Sequence, residues 1–406
     1  HRDLHRLIRR QRQMCIRDSI IPSDRLSPAA VKMANLLPPL TFPDQLTDNH
    51  QVSGTSKLDR YNYDVKVDWY QSDEHRIWGK FSWMDATVTN APRFGDAGGS
   101  AVAGAGTGQG LTDVKTYSVG HNFSLSPTFL MDGVFGFTDM DQVVETHDLD
   151  LGNYGQDVLG IPGTNLTDNQ SCIVNGVNYC GGIPRFSVSG YSSFGQVDGW
   201  SPLVRDEDSF TFSYNFSWSK ENHELRFGYD LVRHMMDHWQ PEIGAGPRGR
   251  FNFNREMTAL KDGASPTEQN AWASFMLGVP SWMGKSLQWE LMTLREWQHA
   301  WYIRDRWQIT PKLTATLGLR YEFYPLVSRA DRGMEYLDLN TFELVLGNNI
   351  AVSKKLFAPR LGFAYRLSDD DVIRTGYGIT FSPLPFARPL RGFYPVSYTH
   401  LTLPTN

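Results

Sequence analysis

Apolar and polar residues alternate along this chain in runs longer than an ordinary soluble strand. From Tyr61 the odd positions read Tyr61, Tyr63, Val65, Val67 and Trp69, and the even ones Asn62, Asp64, Lys66 and Asp68. A period of two sends the two sets to opposite faces of an extended strand, and no helix keeps such a set on one face. The polar turn Ser72–His75 leads into a second run, RIWGKFSWMD. Residues 116–125 repeat the pattern, with Tyr117, Val119, Phe123 and Leu125 against Thr116, Ser118, Asn122 and Ser124. After Ser126-Pro127-Thr128 comes FLMDGVFGFTDMDQVV. The clearest run sets Phe210, Phe212, Tyr214, Phe216 and Trp218 against serine, threonine and asparagine, then turns at Lys220-Glu221-Asn222 into Leu225, Phe227, Tyr229 and Leu231. Trp297, Trp301, Ile303, Trp307 and Ile309 form another, joined through Thr310-Pro311-Lys312 to Leu313–Phe323. A last pair holds Leu361, Phe363, Tyr365 and Leu367, then Ile373, Tyr377, Ile379 and Phe381.

These runs predict about ten strands in five hairpins, each of roughly 10–16 residues, where soluble strands centre on five or six. Tight polar turns lie within hairpins, and long irregular segments, 89–111, 145–205, 234–293 and 328–355, lie between them. Tilted strands of about 9–11 residues cross a bilayer, and short turns at one end with long loops at the other are the layout of outer-membrane barrels. The fold class expected is all-β: an antiparallel transmembrane β-barrel, partial, with about ten to twelve strands of a larger barrel and long extracellular loops. Tyr61, Tyr63, Trp69, Phe210, Phe212, Tyr214, Phe216, Trp218, Trp301 and Trp307 are expected to face the membrane. The opposite face carries Arg, Lys, Asp and Glu, as a wet lumen requires. A long-stranded soluble sandwich is the alternative, since it too alternates apolar and polar residues.

Composition narrows the field. The 406 residues include 12 Trp, 17 Tyr, 23 Phe and 36 Gly, with charged residues at 20%. That balance suits strands and turns. A net charge of −5 gives no sign of a nucleic-acid partner, which needs clustered Lys and Arg. No run of apolar residues is long enough for a transmembrane helix, and averaged hydropathy is blind to barrel strands.

Candidate chemistry is sparse. Cys172 and Cys180 share the segment SCIVNGVNYCGG, and a loop disulfide is expected there over two free thiols. His234 and His238 share strand parity, so a metal site is one reading; polar residues at a strand rim are the preferred one. Glu145, His147, Asp148 and Asp150 lack the spacing of an EF-hand and read as solvated loop. GAGTGQG at 104–110 follows no strand-to-helix junction, so it reads as a loop and not a phosphate cradle. No Ser/His/Asp signature is present, and no catalytic residue, metal ligand or cofactor site is assigned. Short helices are expected at 28–37, with Ser27 as N-cap, and at 267–278. Residues 1–18 and 395–406 resemble translated sequencing-adaptor sequence and read as non-native. The remainder divides into a loop with a short helix at 19–59 and the barrel at 60–394.

The segment IIPSDRLSPAAVKMANLLPP, followed by DRYNYDVKVDWYQSDEHRIWGKFSW, resembles the Oar-like TonB-dependent receptors. ENHELRFGYDLVR, ASFMLGVPS, WYIRDRWQITPKLTATLGLRYE and FAPRLGFAYRLSDDDVIRTGYGITF carry the likeness to about residue 394. The resemblance implies a barrel of 22 strands filled by a plug, of which this chain is an internal slice. It also implies that the plug, its TonB-contacting segment and an N-terminal sandwich domain lie outside this chain. Two unpaired edges are costly in lipid, so the slice alone is expected not to insert stably. The implied function is capture of a bulky extracellular ligand at the loops and its import on TonB-transmitted energy, with outer-membrane lipid and TonB as partners. The alternative is a passive porin or surface adhesin without a plug; an outer-membrane enzyme would need a catalytic cluster.

Overall fold

The computed structural model describes residues 20–383, apart from 46, 105, 166–171, 198–200, 242–243, 262, 289, 334 and 347–350, together with the strand 396–401. The expected non-native segment 1–18 lies outside the described residues.

Ten long strands form one antiparallel sheet whose spatial order follows the chain. They are β1 (Ser56–Tyr70), β2 (His75–Asn90), β3 (Gly108–Ser126), β4 (Phe129–Glu145), β5 (Leu203–Lys220), β6 (His223–Trp239), β7 (Met292–Thr310), β8 (Leu313–Phe323), β9 (Leu356–Arg366) and β10 (Val372–Gly378). The five expected hairpins are all present. Four of the five turns are held by their own hydroxyl side chains, Ser126 Oγ accepting from the Thr128 amide in one of them. Ser72 Oγ accepts from the Glu74 and His75 amides, Thr310 Oγ1 from Lys312 and Leu313, and Ser368 Oγ from Asp370 and Asp371. Short side-chain oxygens of this kind replace the missing ladder partners at a reversal.

Two differences from the sequence pattern stand out. The last strand stops at Gly378, so Ile379 and Phe381 lie beyond it, although the Ile379 amide still donates to the Pro359 carbonyl. The strands also run further toward the loops than alternation shows: β5 begins at Leu203, β6 reaches Trp239 and β7 begins at Met292. In those extensions both faces carry polar groups, as in Arg205-Asp206-Glu207-Asp208, so periodicity vanishes while pairing continues.

Register sorts the two faces. Phe210, Phe212, Tyr214, Phe216 and Trp218 lie opposite Phe137, Phe135, Gly133, Met131 and Phe129 on one side, and opposite Arg233, Leu231, Tyr229, Phe227 and Leu225 on the other. Rings pack laterally along this face, as in Phe137–Phe210 at 4.6 Å, Tyr229–Trp301 at 5.0 Å and Tyr321–Phe357 at 4.7 Å between centroids. Among the described residues no second layer covers it. Tyr63, Phe135, Trp301, Ile303 and Phe363 remain 54%, 43%, 44%, 52% and 43% exposed. A face of this extent far exceeds the apolar patches that proteins leave to water. The sandwich alternative, which needs those rings buried between sheets, does not fit.

The other face is polar and cross-linked. Arg320 donates to both Asp230 and Glu322 at 2.8 Å, and Ser213 donates to Asp230 at 2.7 Å. Asn215 of β5 donates to Asp132 of the neighbouring β4 at 2.7 Å and accepts, across β6, from Tyr302 of β7 at 2.5 Å. Ladders of this kind pair polar and charged groups side by side on one face of the sheet.

Candidate functional site

The segments between hairpins fold together at one end of the sheet. Helix α1 (Pro28–Leu36) starts where expected, with Ser27 Oγ accepting from the Ala30 amide and Pro28 at the first helical position. Helix α2 (Glu268–Met276) is likewise at its expected place. Met33 of α1 and Phe275 of α2 are fully buried with Ile183, Phe186 and Phe194 from one loop and Phe253 from another. Beneath them the short strands Arg185–Val188, Arg250–Phe253 and Trp282–Gln288 form a small sheet, which strand 396–401 extends. The segments expected to be irregular are thus a packed body with its own core. Sequence reasoning missed it because its apolar residues lie in runs too short to establish a period, as in Arg185–Val188, and meet partners from segments far apart in the chain.

Two loops are locked by charge. Arg248 is 1% exposed and donates to Asp148 Oδ1 and Oδ2 at 2.7 and 2.9 Å, and to Thr146 Oγ1 at 2.5 Å. Asp148 Oδ2 also accepts from the Ile183 amide at 2.8 Å. Burial acts to raise the Asp148 carboxyl, but the Arg248 charge and these hydrogen bonds outweigh it and hold the group below the usual carboxylate range. The reading of residues 145–150 as solvated loop is corrected at Asp148, which anchors the loop, while His147 and Asp150 are exposed as expected; His147 Nε2 donates to the Asn90 carbonyl at 3.0 Å, and Glu145 accepts from Gln109. Asn165, 1% exposed, adds a second lock by accepting from the Gly155 amide and donating to the Cys180 and Gly182 carbonyls, each at 2.7 Å.

Cys172 and Cys180 are joined in the structure, with Cα atoms 5.5 Å apart, and both are buried against Leu287. Between them Ile173–Val174 pairs with Val177–Asn178 across Asn175-Gly176, whose φ values of 51° and 81° are those of a hairpin reversal. Reduction, or a Cys172→Ser/Cys180→Ser double variant, is expected to lower local stability by about 2–3 kcal/mol, the loop-closure entropy of so short a ring. Limited proteolysis checks this: cleavage between Ile173 and Asn178 should accelerate while the long strands stay protected. Unchanged cleavage would mean the bond contributes nothing.

The remaining sequence candidates fall as follows. Tyr61, Tyr63 and Trp69 on β1, and Trp301 on β7, are well exposed, Trp218 stands at 36%, and Phe210, Phe212, Tyr214, Phe216 and Trp307 are half-buried among their ring neighbours. His234 and His238 sit on the polar face of β6; His238 is 2% exposed and Arg205 Nε donates to its Nδ1 at 3.5 Å. Among the described residues the carboxylates that converge are instead Asp139, Asp206 and Asp208, at the loop end of β4 and β5. Asp139 lies opposite Asp208 and Asp141 opposite Asp206, continuing the aromatic face toward the loops. GAGTGQG, with residue 105 outside the described set, runs into β3 at Gly108.

Two clefts open into the loop body. One, of about 830 Å³, lies between α1, the start of β3 and the segment 146–154. The other, of about 630 Å³, lies between Leu37–His50, Arg93–Phe94, Gly190–Phe194 and Trp272. Both fall in the size range of small-molecule sites. Sequence reading singled out none of the polar residues of the second cleft, because they come from three segments, 47–50, 93 and 191–192, that only the fold brings together.

An exposed aromatic face opposite a charged one, on a sheet of strands this long, is the pattern of a membrane barrel wall. The model of the outer membrane beta barrel domain matches residues 7–405. The chain belongs to that family. Its location is accordingly the bacterial outer membrane, in a family typically of non-enzymatic transporters. No curated protein matches the chain. Among solved structures it is similar to the open form of the ferric-catecholate import receptor Fiu from Escherichia coli K12, with a TM-score of 0.42 and 11% identity over 81% of this chain and 48% of that one. The siderophore receptor PirA from Acinetobacter baumannii gives a TM-score of 0.40 at 11% identity, over 80% of this chain and 34% of that one. The ferric citrate transporter FecA, unliganded, gives 0.37 at 13%, over 79% and 36%. The chain thus spans less than half the length of these barrels.

Proposed function

We propose that this barrel segment is part of a TonB-dependent receptor that captures a bulky ligand at its loop body and imports it. The aromatic face, with Tyr61, Tyr63, Trp69, Phe210, Phe212, Tyr214, Phe216, Trp218, Trp301 and Trp307, meets lipid. The cross-linked polar face lines the water-filled interior, and the loop body points outward. Strands β1–β10 form the wall, α1 and the segments between hairpins form the loop body, and a plug outside this chain carries the contact with TonB. The observation that carries the reading is the loop body itself. Its core, its Asp148–Arg248 lock and its two clefts make a preorganised surface, which a passive pore does not need. Import energy enters through the plug, so the wall itself needs no nucleotide or redox group.

Electrical recording tests this. The full-length protein, reconstituted in a planar bilayer, is expected to be silent or nearly so, because a plug closes the lumen, and to conduct steadily once about 4 M urea loosens the plug. Steady conductance without urea would overturn the receptor reading and favour the passive porin.

A further inference from the structure

The smaller cleft combines three features that together define a ligand chemistry. Its wall is aromatic: Tyr191 and Trp272 stand 5.2 Å apart between ring centroids, tilted by 47°. Gly190, at φ +87°, lets the Tyr191 loop lie directly on Glu268 of α2, where any Cβ would collide with that side chain. Tyr191 keeps 37% of its surface exposed, so the platform is set but not covered.

Its polar rim is unfinished. Both ring nitrogens of His50 and the Nε of Arg93 are shut from solvent without a hydrogen-bond partner. A buried polar group left in that state costs about 1–3 kcal/mol, and proteins rarely carry several together without a use. Both residues border this one cleft. Asp48 and Asn49 complete the edge.

Its charge is balanced. Asp48 and Arg93 cancel, so nothing here favours an anionic metal chelate, which would need an excess of cations. The set contains acceptors (Asp48), donors (Arg93) and groups that do both (Asn49, His50). An occupant that fits has apolar ring faces to lie on Tyr191 and Trp272, and an edge of hydroxyls that both give and take hydrogen bonds.

We propose that this cleft is a saccharide subsite, holding a pyranose unit of a neutral oligosaccharide. The proposal deepens the receptor reading, since it names the ligand class of the same loop body.

The test uses the full-length protein in dimethyldodecylamine oxide, because a maltoside detergent would itself offer a sugar. Maltohexaose, cellohexaose, xylohexaose and mannohexaose are titrated separately by calorimetry, with a ferric catecholate complex as the anionic probe. At least one hexaose is expected to bind. Tyr191→Ala should weaken it about tenfold by removing the platform, with Tyr191→Phe retaining most of the affinity. His50→Ala should weaken it several-fold at the opposite edge, which guards against an effect of Tyr191→Ala on folding alone. Unchanged heat-modifiable migration certifies each variant as folded. If no hexaose binds at millimolar concentration, or if binding ignores both substitutions, the saccharide assignment falls. Tight binding of the ferric probe without sugar binding would remove this proposal and keep the receptor. Steady conductance of the unligated protein would remove the receptor and leave sugar binding to be judged on its own.

Discussion

Ile303→Arg is expected to cost about 2–4 kcal/mol of membrane folding stability, the penalty for a guanidinium near the bilayer midplane of a barrel wall. Ile303 is 52% exposed, seven residues from the turn that ends β7, and its strand partners are Phe227 and Leu319 on the same face. Nothing polar stands within that row to receive a charge. The same substitution at Thr314, on the opposite face of β8, should cost much less, because that face already carries Arg304, Arg306 and Arg320. Folding of the full-length protein into phosphatidylcholine vesicles, followed by urea titration and heat-modifiable migration, gives both numbers. Equal losses at the two sites would mean that the two faces are not lipid and water, and the barrel orientation would fail.

Arg248→Met should be still more damaging, at about 3–5 kcal/mol, because it strips the partner from a carboxylate that stays inside. Methionine keeps much of the side-chain length, so packing loss is small beside the uncompensated charge. The effect should be confined to the loop body: amide exchange at Ile183 and in α2 should accelerate while β3–β6 remain protected. A pH signature accompanies it. The Asp148 carboxyl is depressed in the folded protein relative to an unfolded value of about 3.9. Its stabilisation is therefore complete above about pH 4 and is lost as acid carries the solution down through the folded value. In Arg248→Met the carboxyl loses the charge that depresses it, burial takes over, and loosening of the loops should begin at higher pH. An acid transition at the same pH in both proteins would remove Asp148 from the account.

The parts legible in the sequence are those that repeat. Alternation of Phe210 to Trp218 or Tyr61 to Trp69 puts two kinds of side chain on the two sides of one strand, so the sheet and its hairpins could be read residue by residue. Local rules also held: Ser27 before Pro28 marked α1, and residues 267–278 marked α2. Alternation disappears where both sides are wet, which is why the loop ends of β5 and β6 were read short. It is equally silent about Phe186, Phe194, Phe253 and Phe275, whose common core depends on contacts between distant segments. Asp148 looked like one more surface carboxylate because its partner lies 100 residues further on. Tyr191 and His50 share a cleft for the same reason and left no local trace.

The row of carboxylates at the loop end of the aromatic face works as a waterline. On β5 the sequence passes from Phe210 to Asp208 in one step of the pleat, and on β4 from Phe137 to Asp139, at the same height on paired strands. On the proposed orientation, sinking the wall by one such step, roughly 7 Å, would draw both acids into hydrocarbon, while rising by one would lift rings into water. The depth at which the wall floats is thus marked on the strands themselves, and a loop body tied above that mark keeps its clefts in water however the surrounding lipids thicken or thin.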